Sequence, residues 1–241
     1  MKVVPVRGDK GKDTAVPAPF TPGRPRSPED LIRVLQAEGI RDRRVLAASR
    51  KVPRARFVPP AATGQAYLDE PIRISHGQVT TQPSLIARMV AALGLTGSQR
   101  VLEVGTGLEF QTAILARLAR KVVSVERFPD LAAQARANLA TVGLDRVRVV
   151  VGDGILGVPE HAPYQAIVVA AASPRIPPPL IEQLAPGGRL VHPVGPGGRE
   201  QVTAFHKEAG QLVADARLTP AYFVPLVGAH GHRSREGRDE R

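Results

Sequence analysis

The stretch Val101 to Gly107, VLEVGTG, carries the residue types from which a site for a nucleotide-type cofactor is built. Val101, Leu102 and Val104 bring a buried strand to its end, with the acid Glu103 inside it. Gly105 and Gly107 then allow a sharp turn and close backbone approach around Thr106. Apolar spacing from Gln111 to Arg120 predicts a helix whose N-terminal amides face a ligand. A second strand, Val122 to Val125, ends at Glu126, 19 positions beyond Gly107. That is close to the ~20 residues at which a doubly wound fold sets a carboxylate on ribose hydroxyls. Glycine turns also occur in doubly wound proteins that bind nothing, and it is the acid in register that favours a cofactor. A third candidate is Gly152-Asp153-Gly154, after the next strand. Alone it reads as a turn. At the carboxyl edge of a sheet, Asp153 offers an acceptor to an exocyclic amine and Gly154 lets a flat ligand approach.

The elements that must hold these residues follow from periodicity. Ser27 suits an N-cap, with Pro28 at the first helical position and Asp30 where a capping box has Glu or Gln. Leu31, Ile32, Val34 and Leu35 continue that helix, and Val45 with Leu46 marks a second short one before the proline-rich stretch from Pro53 to Pro60. From Pro83 a helix with Leu85, Ile86, Met89, Val90 and Leu93 on its apolar face leads into the first strand. After Glu126 the pattern predicts a helix (131–142), strands (147–151 and 166–170), a helix (179–184) and a strand (188–194). Strands alternating with helices predict an α/β fold, a doubly wound parallel sheet covered on both faces, with an N-terminal helical extension.

Composition narrows the class. The 241 residues, 43% hydrophobic, suffice for one large core. No apolar run reaches the ~18 residues of a membrane span and the N-terminus is not a signal peptide, so the expected location is cytoplasmic, with no membrane partner. The chain has no cysteine, which excludes disulfides, thiolate metal sites and cysteine nucleophiles. Only His230 and His232 lie near each other, in what reads as a solvated tail (229–241), so no metal is expected. The net charge of +11 is unevenly spread: Met1 to Arg56 contributes +8 and Phe57 to Gly231 only +2. A disordered basic arm, Met1 to Arg26, precedes the domain (27–228). Nucleic-acid contact is an open property of that arm, but its one aromatic residue, Phe20, stands apart from the charges rather than interleaved with them to stack on bases.

Several segments together resemble the protein-L-isoaspartate O-methyltransferases, S-adenosylmethionine enzymes that act on damaged aspartyl and asparaginyl sites. They are VLEVGTG, VERFPDLAAQARANL, VVGDGILG and LAPGGRLVHPVG, flanked by VPRARFVP (52–59), GQVTTQP (77–83), AASPRIP (171–177) and FVPLVG (223–228). The flanks are the specific part, since other methyltransferases share the cofactor segments. The resemblance implies a Rossmann-like methyltransferase sheet binding S-adenosyl-L-methionine, with isoaspartyl-containing proteins and peptides as partners. It places Gly105, Thr106 and Gly107 at the methionine end, Glu126 on the ribose and Asp153 near the adenine, with Glu103 and Gly154 in the same set. It also implies that the 77–83 loop covers the reacting centre, with Thr81, where the family usually has serine, positioning the substrate carboxylate. The alternative for Thr81 is a cap on the helix starting near Pro83.

One position departs from the family pattern. Where relatives read GTGSGY, this chain has Leu108-Glu109-Phe110 after the second glycine. Glu109 adds bulk and charge where glycine normally permits close approach, and it is expected to weaken cofactor binding by repelling a carboxylate. A noncatalytic relative, or a methyltransferase for a different peptide carboxylate, are the alternative functions.

Overall fold

The computed structural model describes residues 25–228. Most of the basic arm, and the tail with His230 and His232, lie outside them. The helical extension opens with α1 (Pro28–Ala37). The Ser27 hydroxyl accepts from the Asp30 amide at 3.1 Å and Asp30 Oδ2 accepts from the Ser27 amide at 3.1 Å, so the shorter acid closes the capping box. Ser27→Ala removes this reciprocal cap and is expected to destabilise the protein by about 1 kcal/mol, read as a fall of roughly 2–4 °C in melting temperature by circular dichroism.

Helix α2 (Arg43–Lys51), capped by Asp42, and α3 (Pro83–Ala92) complete the extension. The core then alternates through β1 (Arg100–Val104), α4 (Phe110–Leu118), β2 (Lys121–Glu126), α5 (Pro129–Thr141) and β3 (Arg148–Val151). It continues with β4 (Tyr164–Val169), α6 (Pro178–Gln183) and β5 (Leu184–Val194). Two further strands, β6 (Glu200–Glu208) and β7 (Gln211–Ala221), were not expected from the sequence. They pair antiparallel with β5 and with each other. The sheet is therefore mixed rather than wholly parallel, in the order β3-β2-β1-β4-β5-β6-β7.

Both faces of the parallel part are buried. Val101, Val122, Ala166 and Val168 point to one face, covered by α1 to α5, while Leu102, Val104, Val123 and Ile167 point to the other, packed with Ile155, Tyr164 and Leu180. This two-sided burial is why the strands read as continuous apolar runs. Because β1 to β4 are parallel and in register, their carboxyl ends gather at one edge. The turns that follow, Gly105, Gly152 and Ala170, hang from it by backbone bonds to Val125, Glu126 and Val104. No helix among the described residues is long and apolar enough to cross a membrane.

Candidate active site

At that edge a single cavity brings together Thr81, Gly105, Thr106, Gly107, Glu126 and Gly154, along with Arg54, Phe110, Phe128 and the segment 224–227. Of the residues singled out in the sequence, Glu103 lies behind the wall and Asp153 beside it.

Glu126 ends β2 and is 5% exposed. Its Oε2 accepts from the Gly107 amide at 3.0 Å and its Oε1 from the Phe128 amide at 3.1 Å. Each oxygen keeps a lone pair free for a further donor. Gly107, at φ 53°, belongs to the left-handed region where glycine is unstrained, and a Cβ there would project into open space. The cradle thus has room and acceptors for a diol.

Glu103 is fully buried and braces this turn from below. Its Oε1 accepts from Gln111 Nε2 at 2.9 Å, and its Oε2 accepts from the hydroxyls of Thr112 at 2.5 Å and Ser124 at 2.6 Å. Since the Ser124 proton is spent on Glu103, the Thr106 hydroxyl, 2.6 Å away, donates to Ser124 Oγ. Burial pushes the Glu103 carboxyl up to about 7, against the pull of those three donors. Its part is to fix Thr106 and the first turn of α4.

Glu109 caps α4 in a left-handed conformation, φ 64°, and is 1% exposed. Its Oε2 accepts from Asn138 Nδ2 on α5 at 3.0 Å, while Oε1 has no partner. Burial, reinforced by the Glu103 and Glu126 carboxylates, pushes its pKa up to about 8. At neutral pH the group is thus mostly protonated, and the full negative charge expected from the sequence is missing. The folded protein holds a proton that the unfolded chain releases near pH 4.5, so this group's contribution is complete below that pH and lost as pH rises through about 8. Relative to Glu109→Gln, the wild type is expected to lose on the order of 3 kcal/mol between pH 5 and pH 8.5, measured by denaturant unfolding at both.

Asp153 Oδ1 accepts from the Ile155 amide at 2.9 Å. Gly228 packs against the same carboxylate so closely that a Cβ there would touch it. The segment 223–228 is held by bonds between Ala172 and both Val224 and Leu226, which brings the sequence's last distinctive flank to the cavity wall.

The loop before α3 forms the opposite wall. Ile72 and Thr80 pinch its base: the Thr80 amide donates to Ile72 O at 2.8 Å and the Ile72 amide to Thr80 Oγ1 at 3.0 Å. At its tip His76, left-handed at φ 56°, stacks on Phe128 with ring centroids 4.1 Å apart, and its Nε2 meets Asp130 Oδ2 at 2.8 Å. The Thr81 hydroxyl makes no hydrogen bond to any described residue. It does not cap α3, whose N-cap is Gln82 and whose Ser84 amide donates instead to Asp69 Oδ1 at 2.7 Å. The sequence reading passed over Arg54 and His76. Both stand in segments whose role depends on partners far along the chain. No cluster of three or more metal-ligating side chains occurs among the described residues.

A doubly wound sheet with a glycine turn, a carboxylate that accepts from that turn and a cavity at its carboxyl edge defines a Rossmann-like protein of the cofactor-binding type. The comparisons make this specific. The model of the protein-L-isoaspartate(D-aspartate) O-methyltransferase family matches residues 26–231, and the chain belongs to that family. The protein-L-isoaspartate O-methyltransferase of Methanoculleus marisnigri is 50% identical over 207 residues, covering 86% of this chain and 94% of its own. That of Anaeromyxobacter dehalogenans is 54% identical over 200 residues, covering 82% and 96%. Among solved structures, a protein-L-isoaspartate O-methyltransferase superposes with a TM-score of 0.73 at 29% identity, covering 84% of this chain and 66% of that one. A Plasmodium falciparum protein described as a β-aspartate methyltransferase, in complex with S-adenosyl-L-homocysteine, shares the fold at a TM-score of 0.72 and 22% identity, covering 83% and 98%.

Proposed function

We propose that this protein methylates the free α-carboxylate of L-isoaspartyl residues in damaged proteins and peptides, with S-adenosyl-L-methionine as methyl donor, and so initiates their repair. The observation that carries this reading is one cavity lined both by Thr81, whose hydroxyl is unengaged, and by the Gly105–Gly107 turn with the Glu126 carboxylate that accepts from it. The family supports it, because its named members are protein-L-isoaspartate O-methyltransferases.

In this reading Glu126 holds the ribose, Gly105, Thr106 and Gly107 line the methionine end, and Asp153 with Gly154 borders the adenine, with Phe128 as an apolar wall. When bound, the cofactor supplies a methyl group on a positively charged sulfur, and its transfer to a carboxylate oxygen leaves a neutral ester and a neutral thioether with no proton to move. The acceptor is ionised at neutral pH, with an ordinary pKa of about 4, so the chain needs no general base. Its residues have to align the acceptor and exclude water. Thr81 donates a hydrogen bond to the carboxylate, and the 72–81 loop, clasped to α5 through His76 and Phe128, closes the cavity.

A second cavity adjoins the first, sharing Val79, Thr80, Thr81, Ala170 and Val224, and runs out past Tyr222, which is 76% exposed. It suits the polypeptide on either side of the modified residue. The test is label transfer from S-adenosylmethionine to an isoaspartyl peptide beside the matched aspartyl peptide. Label on the isoaspartyl peptide alone is expected. Label on the aspartyl peptide would assign a different carboxylate, and label on neither would overturn the enzymatic reading.

A further inference from the structure

Arg54 sits in a short 3-10 turn and is 1% exposed, although its side chain reaches the cavity wall. Four of its five N–H groups are spent on neutral acceptors. Nη1 donates to Ala66 O at 2.8 Å and Leu68 O at 3.1 Å, and Nη2 to Glu70 O and Thr80 Oγ1, both at 3.3 Å. The guanidinium lies over the Phe110 ring, 5.5 Å from its centroid. No described carboxylate forms an ion pair with it. Asp69, whose charge reaches it without forming an ion pair, is engaged by the α3 amide and does not line the cavity. Burial lowers its pKa to about 10, which leaves it charged at neutral pH. The other cation of the lining, Arg127, is exposed.

A buried cation is ordinarily paired, because desolvating it alone is costly. Here the unmatched charge is built into the wall from which the Thr80–Thr81 segment is hung. Given the methyl transfer proposed above, we infer that Arg54 is the fixed counter-charge that draws the substrate's carboxylate to Thr81 and so sets affinity for the anionic acceptor. The reaction destroys charge, since a carboxylate becomes a neutral ester. A cation beside it therefore stabilises the bound substrate more than the transition state. Removing that cation therefore raises KM without lowering kcat, whereas a structural peg, once pulled, would lower kcat and cofactor affinity together.

The test is steady-state kinetics on an isoaspartyl peptide with wild type, Arg54→Lys and Arg54→Gln, alongside calorimetric binding of S-adenosylhomocysteine. Arg54→Gln is expected to raise KM at least tenfold, with kcat not reduced and S-adenosylhomocysteine affinity within about threefold of wild type, and Arg54→Lys to recover most of the KM. An unchanged KM in Arg54→Gln would overturn the inference, and so would a parallel loss of kcat and cofactor binding. Should Arg54→Gln fail to fold, the wild type decides. Its S-adenosylhomocysteine complex is expected to bind the isoaspartyl peptide at least tenfold more tightly than the peptide's methyl ester, and equal binding refutes the counter-charge. A wild type that binds the anionic peptide selectively yet methylates nothing would instead count against the methyltransferase reading alone.

Discussion

Glu126→Ala is expected to weaken S-adenosylhomocysteine binding by about 100-fold. Two hydrogen bonds from a diol to an ionised carboxylate contribute roughly 1.5–3 kcal/mol each, and losing both partly compensated by water leaves a net effect near that size. The same carboxylate ties the Gly107 and Phe128 amides together across the mouth of the cavity, at 3.0 and 3.1 Å. Its loss therefore also frees the turn and the aromatic wall. Glu126→Gln separates the two parts, since the amide oxygen still accepts from one backbone group while the charge is gone. An intermediate loss of about 10-fold is expected for Gln. Titration calorimetry checks both variants, and a Glu126→Ala protein binding within threefold of wild type would remove Glu126 from the cofactor site.

That carboxylate was visible in the sequence because everything that places it is local. A strand, a glycine turn, a helix and a second strand fix the distance between Gly107 and Glu126 without help from the rest of the chain. The same holds for α1, whose capping box closes within four residues. What the sequence concealed depends on distant partners. β7 is exposed over most of its length and the second half of β6 is only partly buried, so their apolar alternation is diluted by Gln201, Lys207, Asp215 and Arg217, and only pairing with β5 and with each other defines them. Arg54 and Arg56 are two residues apart in one turn, yet Arg54 alone is buried. Nothing local distinguishes it, because its acceptors lie 12 to 26 positions further on. The surroundings of Glu109 were concealed for the same reason. The residue type announces bulk and charge, but Asn138, 29 positions away, receives the carboxylate and burial keeps it mostly protonated.

Thr81 is the position where stability and catalysis separate most cleanly. Its hydroxyl is without a hydrogen-bond partner among the described residues, and the loop that carries it is held by its neighbour Thr80 and by His76. Thr81→Val keeps the side-chain shape and removes only that hydroxyl, so the melting temperature should stay within about 1 °C, as expected where no native bond is lost. The proposed role assigns the hydroxyl to alignment of the acceptor oxygen, and misplacing a reacting atom by as little as ~1 Å costs about 100-fold. Thr81→Val is therefore expected to lower kcat by about 100-fold on an isoaspartyl peptide, with S-adenosylhomocysteine affinity unchanged because Glu126 and the glycine turn are untouched. Thr81→Ser restores the hydroxyl without the branching methyl and should recover at least a third of wild-type kcat, its freer rotamer offsetting a wider site. Rate measurements on both variants decide the matter: a Thr81→Val enzyme within threefold of wild type would show that the loop merely covers the cavity and that its hydroxyl takes no part in aligning the acceptor.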